Sequence, residues 1–113
     1  MAVLLIHHPG LSVARWQRLS LAEQLGNVGS EIGRARRWKN ERPKHWEEAA
    51  HCALELLDLT IQDPRWQGHR RKELLRAREC VGDAYYGGGE YGTTFEDLDR
   101  YFLPFALSAR MDR

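Results

Sequence analysis

The chain is poor in the features that specify many folds and many chemistries. Cysteine occurs twice, as Cys52 and Cys80, each inside a helical pattern. That placement reads as two buried free thiols rather than a disulfide, as suits a reducing cytoplasm. No apolar run approaches the ~20 residues of a membrane-spanning helix. The apolar stretch Ala2–Ile6 is five residues long and has no cationic segment before it, so it reads neither as a span nor as a signal peptide. Net charge is only +1, so no global field drives the protein onto nucleic acid or a lipid surface, and such binding requires a local patch. No alternation of apolar and polar residues appears in residues 19–110, which argues against a sheet.

Catalytic and metal-binding patterns are equally sparse. There is no C-x-x-C and no H-E-x-x-H. His45 and His51 stand six apart, off a common helix face, and His51 and Cys52 are neighbours pointing different ways. Glu55 and Asp58 are three apart but lack the partner set of a di-iron bundle. An arginine separated from a following histidine by four to six intervening residues, as in small helical nucleases, is missing before His45, His51 and His69. Residues 87–92 match G-x-G-x-x-G, yet a helical pattern rather than a strand precedes them, so an interhelical turn is expected there. The expectation is therefore a protein without catalytic residues, metal or cofactor.

What is present is helical periodicity. Among the 113 residues, 42% are hydrophobic and 29% charged, the balance of one domain that can bury a core. The first helix opens with a capping box, Ser20 and Glu23. Leu21, Leu25, Val28, Ile32 and Ala35 then make one apolar stripe. Beside it runs a second, Ala22, Gly26, Gly29 and Gly33. Each interior glycine costs about 1 kcal/mol against alanine, which is offset if another backbone approaches closely.

Asn40 to Arg42 form a turn, and Pro43 suits the first position of a second helix. That helix is apolar nearly all round from Ala53 to Leu59, as befits a central element or a subunit contact. Asp63-Pro64 ends it. A third helix is expected over residues 67–85, stopped by the following glycines. A fourth begins with a capping box of Thr93 and Glu96 and carries Phe95, Leu98, Phe102, Phe105 and Ala109, with Pro104 as an expected kink. Short connections make neighbours antiparallel. The predicted fold is all-α, an up-and-down antiparallel four-helix bundle over residues 15–113, with residues 1–14 as an arm or tail.

In that topology one end of the molecule gathers Arg15, Arg18, Arg65, Arg70, Arg71, Lys72 and Arg110, while the other end is mixed in sign. Arg70, Arg71 and Lys72 oppose the dipole of the helix they open, a placement that lowers stability and hints at use. These seven cations are the candidate nucleic-acid-binding residues; the alternative is a solvated face. Gly26, Gly29, Gly33, Leu56 and Leu59 are the candidate interface. The four tryptophans, Trp16, Trp38, Trp46 and Trp66, lie near helix ends, where they stack on a partner or seal the core.

The segments Gly29–Trp38, Ala53–Ile61 and Tyr91–Thr94, the last leading into Tyr101-Phe102 and Ala109-Arg110, together resemble small prokaryotic four-helix-bundle proteins. More distantly the chain resembles the accessory variability determinants of diversity-generating retroelements. That resemblance implies a cytoplasmic homo-oligomer, a pentameric barrel, whose basic surfaces engage a reverse transcriptase and its RNA. A protein–protein or regulatory module of antitoxin type, without nucleic acid, is the alternative.

Overall fold

The computed structural model describes residues 11–87 and 90–111, and every described element is helical. The helices are α1 (Val13–Trp16), α2 (Leu21–Trp38), α3 (Pro43–Ile61), α4 (His69–Tyr86) and α5 (Phe95–Met111). The chain is thus all-α, with five helices where four were expected. The additional one is a single turn at the junction of the expected arm and bundle. Ser12 caps it, accepting from the Arg15 amide at 3.1 Å. Leu11 and Val13 pack against the core, so the described part of the arm belongs to the folded body. The apolar stretch at residues 2–6 lies outside the described residues.

Three of the four long helices start at a local signal read from the residues, a capping box in α2 and α5 and a proline in α3. In α2 the Ser20 hydroxyl accepts from Glu23 N at 3.1 Å, and the Glu23 carboxylate accepts from Ser20 N at 3.0 Å. Pro43 opens α3. The box that starts α5 is one residue later than expected, Thr94 with Asp97 rather than Thr93 with Glu96. Thr94 Oγ1 accepts from Asp97 N and Asp97 Oδ2 accepts from Thr94 N, both at 3.1 Å. Both pairs have the right spacing; the observed one makes Phe95 the first helical residue and buries it with Leu98. At the far end of α4, Gly87 adopts a left-handed conformation (φ 76°) and donates its amide to Asp83 O, the glycine stop read from the sequence. Gly88 and Gly89 lie outside the described residues.

The centre of the molecule is α2 between α3 and α5, with α4 laid against α3 and touching α5 only lightly. Leu25, Val28, Ile32 and Ala35 of α2 are buried, as are Ala50, Ala53, Leu57 and Val81 behind them. The all-round apolarity of α3 reflects its neighbours within the chain, α1, α2 and α4. This corrects part of the candidate interface. Leu56 and Leu59 are 3% and 1% exposed, buried by this chain itself.

The glycine stripe also turns inward, toward antiparallel α5. A β-carbon on Gly26 would stand 3.1 Å from Ala106 Cα, and one on Gly29 would stand 2.8 Å from Phe102 Cβ. The close approach anticipated from the glycines is real, but the partner is α5 of the same chain. Gly33 is different: a methyl there would meet Asp99 Oδ1 at an ordinary 3.5 Å. Pro104 sits within α5, exposed, and the helix continues to Met111.

These distances set opposite signs for two similar substitutions. Gly33→Ala gains helix propensity without a clash and should stabilise the fold by roughly 0.5–1 kcal/mol in denaturant unfolding. Gly29→Ala should destabilise it by about 1–3 kcal/mol, because the methyl drives α2 and α5 apart. Equal effects would refute the close α2–α5 seam.

Candidate nucleic-acid interface

At the end where α1, the start of α2, the end of α3 and the start of α4 meet, the core closes over polar groups. Trp16 is buried and donates its indole N–H to Thr60 Oγ1 at 3.1 Å. Thr60 in turn donates to Leu56 O at 2.8 Å. The side chain of Gln24, fully buried, ties three elements together. Its amide nitrogen donates to Trp16 O at 2.9 Å and to Asp63 Oδ2 at 3.0 Å, and its oxygen accepts the Trp66 indole N–H at 2.8 Å. Both donors of this amide and its oxygen find partners inside the protein, which is the condition for burying it without net loss.

Asp63 is 1% exposed and anchors the α3–α4 connection. Arg65 meets it with backbone N (3.0 Å), Nε (3.1 Å) and Nη2 (2.7 Å), and also donates Nη2 to Leu19 O at 2.6 Å. The same Arg65 lies over the Trp66 ring, 4.5 Å from its centroid, and Arg70 lies over it at 5.5 Å. Arg71 reaches back to Ile61 O at 2.8 Å. Arg65 above all, with its own backbone N–H and Gln24, holds the Asp63 carboxyl below the usual carboxylate range against the opposing effect of burial.

The structure therefore brings together a core of the expected basic cluster. Arg65, Arg70 and Arg71 surround Trp66 and the end of α3, and the bond to Leu19 places Arg18 on the adjoining turn. Lys72 follows on the first turn of α4, whose amide bonds to Gly68 O and which contains no acidic residue. Arg15 stands on α1 of the same end, exposed. Arg110 belongs to a neighbouring patch, the last turn of α5 beside Glu23 and Asn27 of α2. Arg65 differs from the rest, since Asp63 offsets its charge.

At the opposite end basic and acidic groups pair directly: Arg36 with Asp99 (2.9 Å), Arg34 with Glu31 (3.3 Å) and Arg100 with Asp97 (2.6 Å).

Of the candidate interface residues, Gly26 and Gly29 are occupied by α5, Gly33 lies in an open groove of α2 and α5, and Leu56 and Leu59 are core. Sequence reasoning missed two things. One is the Gln24–Asp63–Trp66 network, since Asp63-Pro64 was read only as a helix stop. The other is an outward apolar stripe on α5, Leu103, Leu107 and Met111, which are 54%, 47% and 85% exposed. Their spacing of four was visible beside the buried stripe of the same helix.

Against the expectation that no metal-binding spacing occurs, Glu48 and His51 have E-x-x-H spacing; no group of three or more His, Cys, Asp or Glu able to hold a metal occurs among the described residues. Burial, reinforced by Glu31, Glu48 and Glu55, pushes the Cys52 thiol up to about 11, so it stays protonated at neutral pH.

The depressed Asp63 acidity makes stability depend on pH. Its stabilisation is complete above the ordinary aspartate pKa of about 3.9 and is lost as pH falls through the lower, folded value. Asp63→Asn should lower unfolding free energy at neutral pH by about 2 kcal/mol and flatten the acid limb of a stability–pH curve. An unchanged acid limb would contradict the anchoring role. No helix among the described residues is long and apolar enough to cross a membrane. No protein family, curated protein or solved structure matches the chain.

Proposed function

We propose that this protein is a non-enzymatic, cytoplasmic accessory module that binds nucleic acid through the end of the molecule carrying Arg18, Arg70, Arg71 and Lys72. In this reading α2 to α5 form an up-and-down four-helix bundle, α1 is its lid, and copies assemble into a homo-oligomer, a pentamer in the retroelement-type arrangement. A reverse transcriptase and its RNA are the partners that arrangement implies.

The observation that carries the reading is the fixed basic cluster around Trp66. Arg71 is held by a neutral carbonyl, which leaves its charge intact, and Arg70 is laid over an aromatic ring. Successive cations on the first turn of α4 oppose the helix dipole, a cost that phosphate contacts would offset. The second reading, a protein–protein module without nucleic acid, is favoured by the outward stripe Leu103, Leu107 and Met111 on α5. That stripe also replaces Leu56 and Leu59 as the surface for self-association.

Fluorescence anisotropy with a labelled RNA at low salt tests the first reading. Affinity should fall steeply as salt rises. Arg70→Ala with Lys72→Ala should weaken binding tenfold or more and reduce the salt slope by about 1.8, near 0.9 per lost phosphate contact. No binding at low salt, or an unaltered variant, would remove nucleic acid from the account and leave the protein–protein reading.

A further inference from the structure

We infer that the basic end recognises the phosphate backbone of a nucleic-acid duplex rather than the bases of an unpaired strand. The inference rests on the nucleic-acid reading above and specifies the form of the ligand.

Proteins that hold single strands combine cations with open aromatic faces on which successive bases stack. The aromatic residues within this cluster are closed. Trp66 is 8% exposed, its N–H is spent on Gln24, and Arg65 and Arg70 lie over its ring. Trp16 is 2% exposed and its N–H is spent on Thr60. The indoles serve as the floor on which guanidinium groups rest. A base cannot displace them without breaking the contacts of Arg65 with Asp63 and Leu19.

Three of the cations are also fixed in position. Arg71 is tied to Ile61 O, Arg70 rests on Trp66, and Arg65 fastens the loop that carries them. Cations held on a rigid frame suit a rigid array of phosphates, where neither side is ordered on binding. A flexible strand would have to be ordered without the compensation of stacking.

Charge density favours the same ligand. A duplex presents one charge per ~1.7 Å of its axis, whereas a strand presents one per ~3.4 Å. Along any given length of axis the cluster therefore lies beside about twice as many charges on a duplex as on one strand. Each neutralised phosphate also contributes more to counterion release on a duplex, a salt slope of about 0.9 against 0.7. With few cations and no open aromatic face in the cluster among the described residues, that difference decides the preference. Because phosphates are shared by RNA and DNA duplexes, the surface reads the form of the backbone and not the base sequence.

The test compares a blunt RNA duplex, a DNA duplex and an unstructured single strand of equal length. The full chain is titrated with each at one low salt concentration, with anisotropy and tryptophan emission read together. The expected result is duplex binding at least tenfold tighter than the strand, with tryptophan emission unchanged. RNA and DNA duplexes differing by less than threefold would assign recognition to phosphates; a duplex preference confined to RNA would assign it to A-form geometry, also within the proposal. A strand that binds as tightly as the duplexes, with quenched emission, overturns the inference and leaves the nucleic-acid reading standing. Binding to none of the three overturns both. Arg70→Lys supplies the second variant: charge is kept while the flat contact with Trp66 is lost. Duplex preference should survive it within threefold, whereas a role in base stacking would not.

Discussion

The buried side chain of Gln24 is the constraint on which one half of the molecule depends. It sits on α2, yet its hydrogen bonds end on α1, on the aspartate after α3 and on the tryptophan before α4. A neutral amide is suited to this place because it donates and accepts at once, and each direction is used. Leucine could not accept from the Trp66 N–H or donate to Trp16 O, and it would leave Asp63 to Arg65 alone. A charge at position 24 would have to be neutralised in a site closed to water. One side chain thus ties α1 and the α3–α4 connection to α2; Arg18 follows α1, Arg65 lies on that connection, and Arg70 and Arg71 open the helix it leads into.

A second constraint acts at the other side of α2. The glycines there let α5 approach until Phe102 and Ala106 touch the α2 surface, which spends the inner face of α5 on the core. Because α4 touches α5 only lightly, Leu103, Leu107 and Met111 on the outer face of α5 have no covering neighbour among the described residues. The two ends of the body differ as well. At one, cations and carboxylates pair with each other; at the other, the buried acid Asp63 is paired with Arg65, while Arg71 bonds a backbone carbonyl and Arg70 rests on Trp66. Packing, rather than net charge, produces this polarity in a chain whose charges nearly cancel.

The helices were legible because burial of one side imposes a period that residues such as Leu25, Val28, Ile32 and Ala35 display openly. The starts at Ser20 and Pro43 and the stop at Gly87 were legible for a local reason, the need to satisfy free amides and carbonyls. The start of α5 was misjudged by one residue, because two threonine–acid pairs compete and only the burial of Phe95 chooses between them. The glycine seam was read correctly as a close approach and wrongly as a surface, since periodicity tells which face is covered and not by what. Leu56 and Leu59 failed for the same reason. The Gln24–Asp63–Trp66 network spans some forty positions in sequence, and single-residue patterns contain no signal for it. The basic end followed from topology alone, while the closed state of its tryptophans required coordinates.

Hydrogen exchange of the tryptophan indole protons, followed by NMR, tests the central claim most directly. If Gln24 and Thr60 hold the two indoles in a closed floor, the Trp66 and Trp16 N–H protons exchange as slowly as the protected core amides of α2 and α3, and the Trp66 proton becomes fast in Gln24→Ala. Rapid exchange of both protons in the unmodified protein, at the rate of an exposed side chain, would contradict the account.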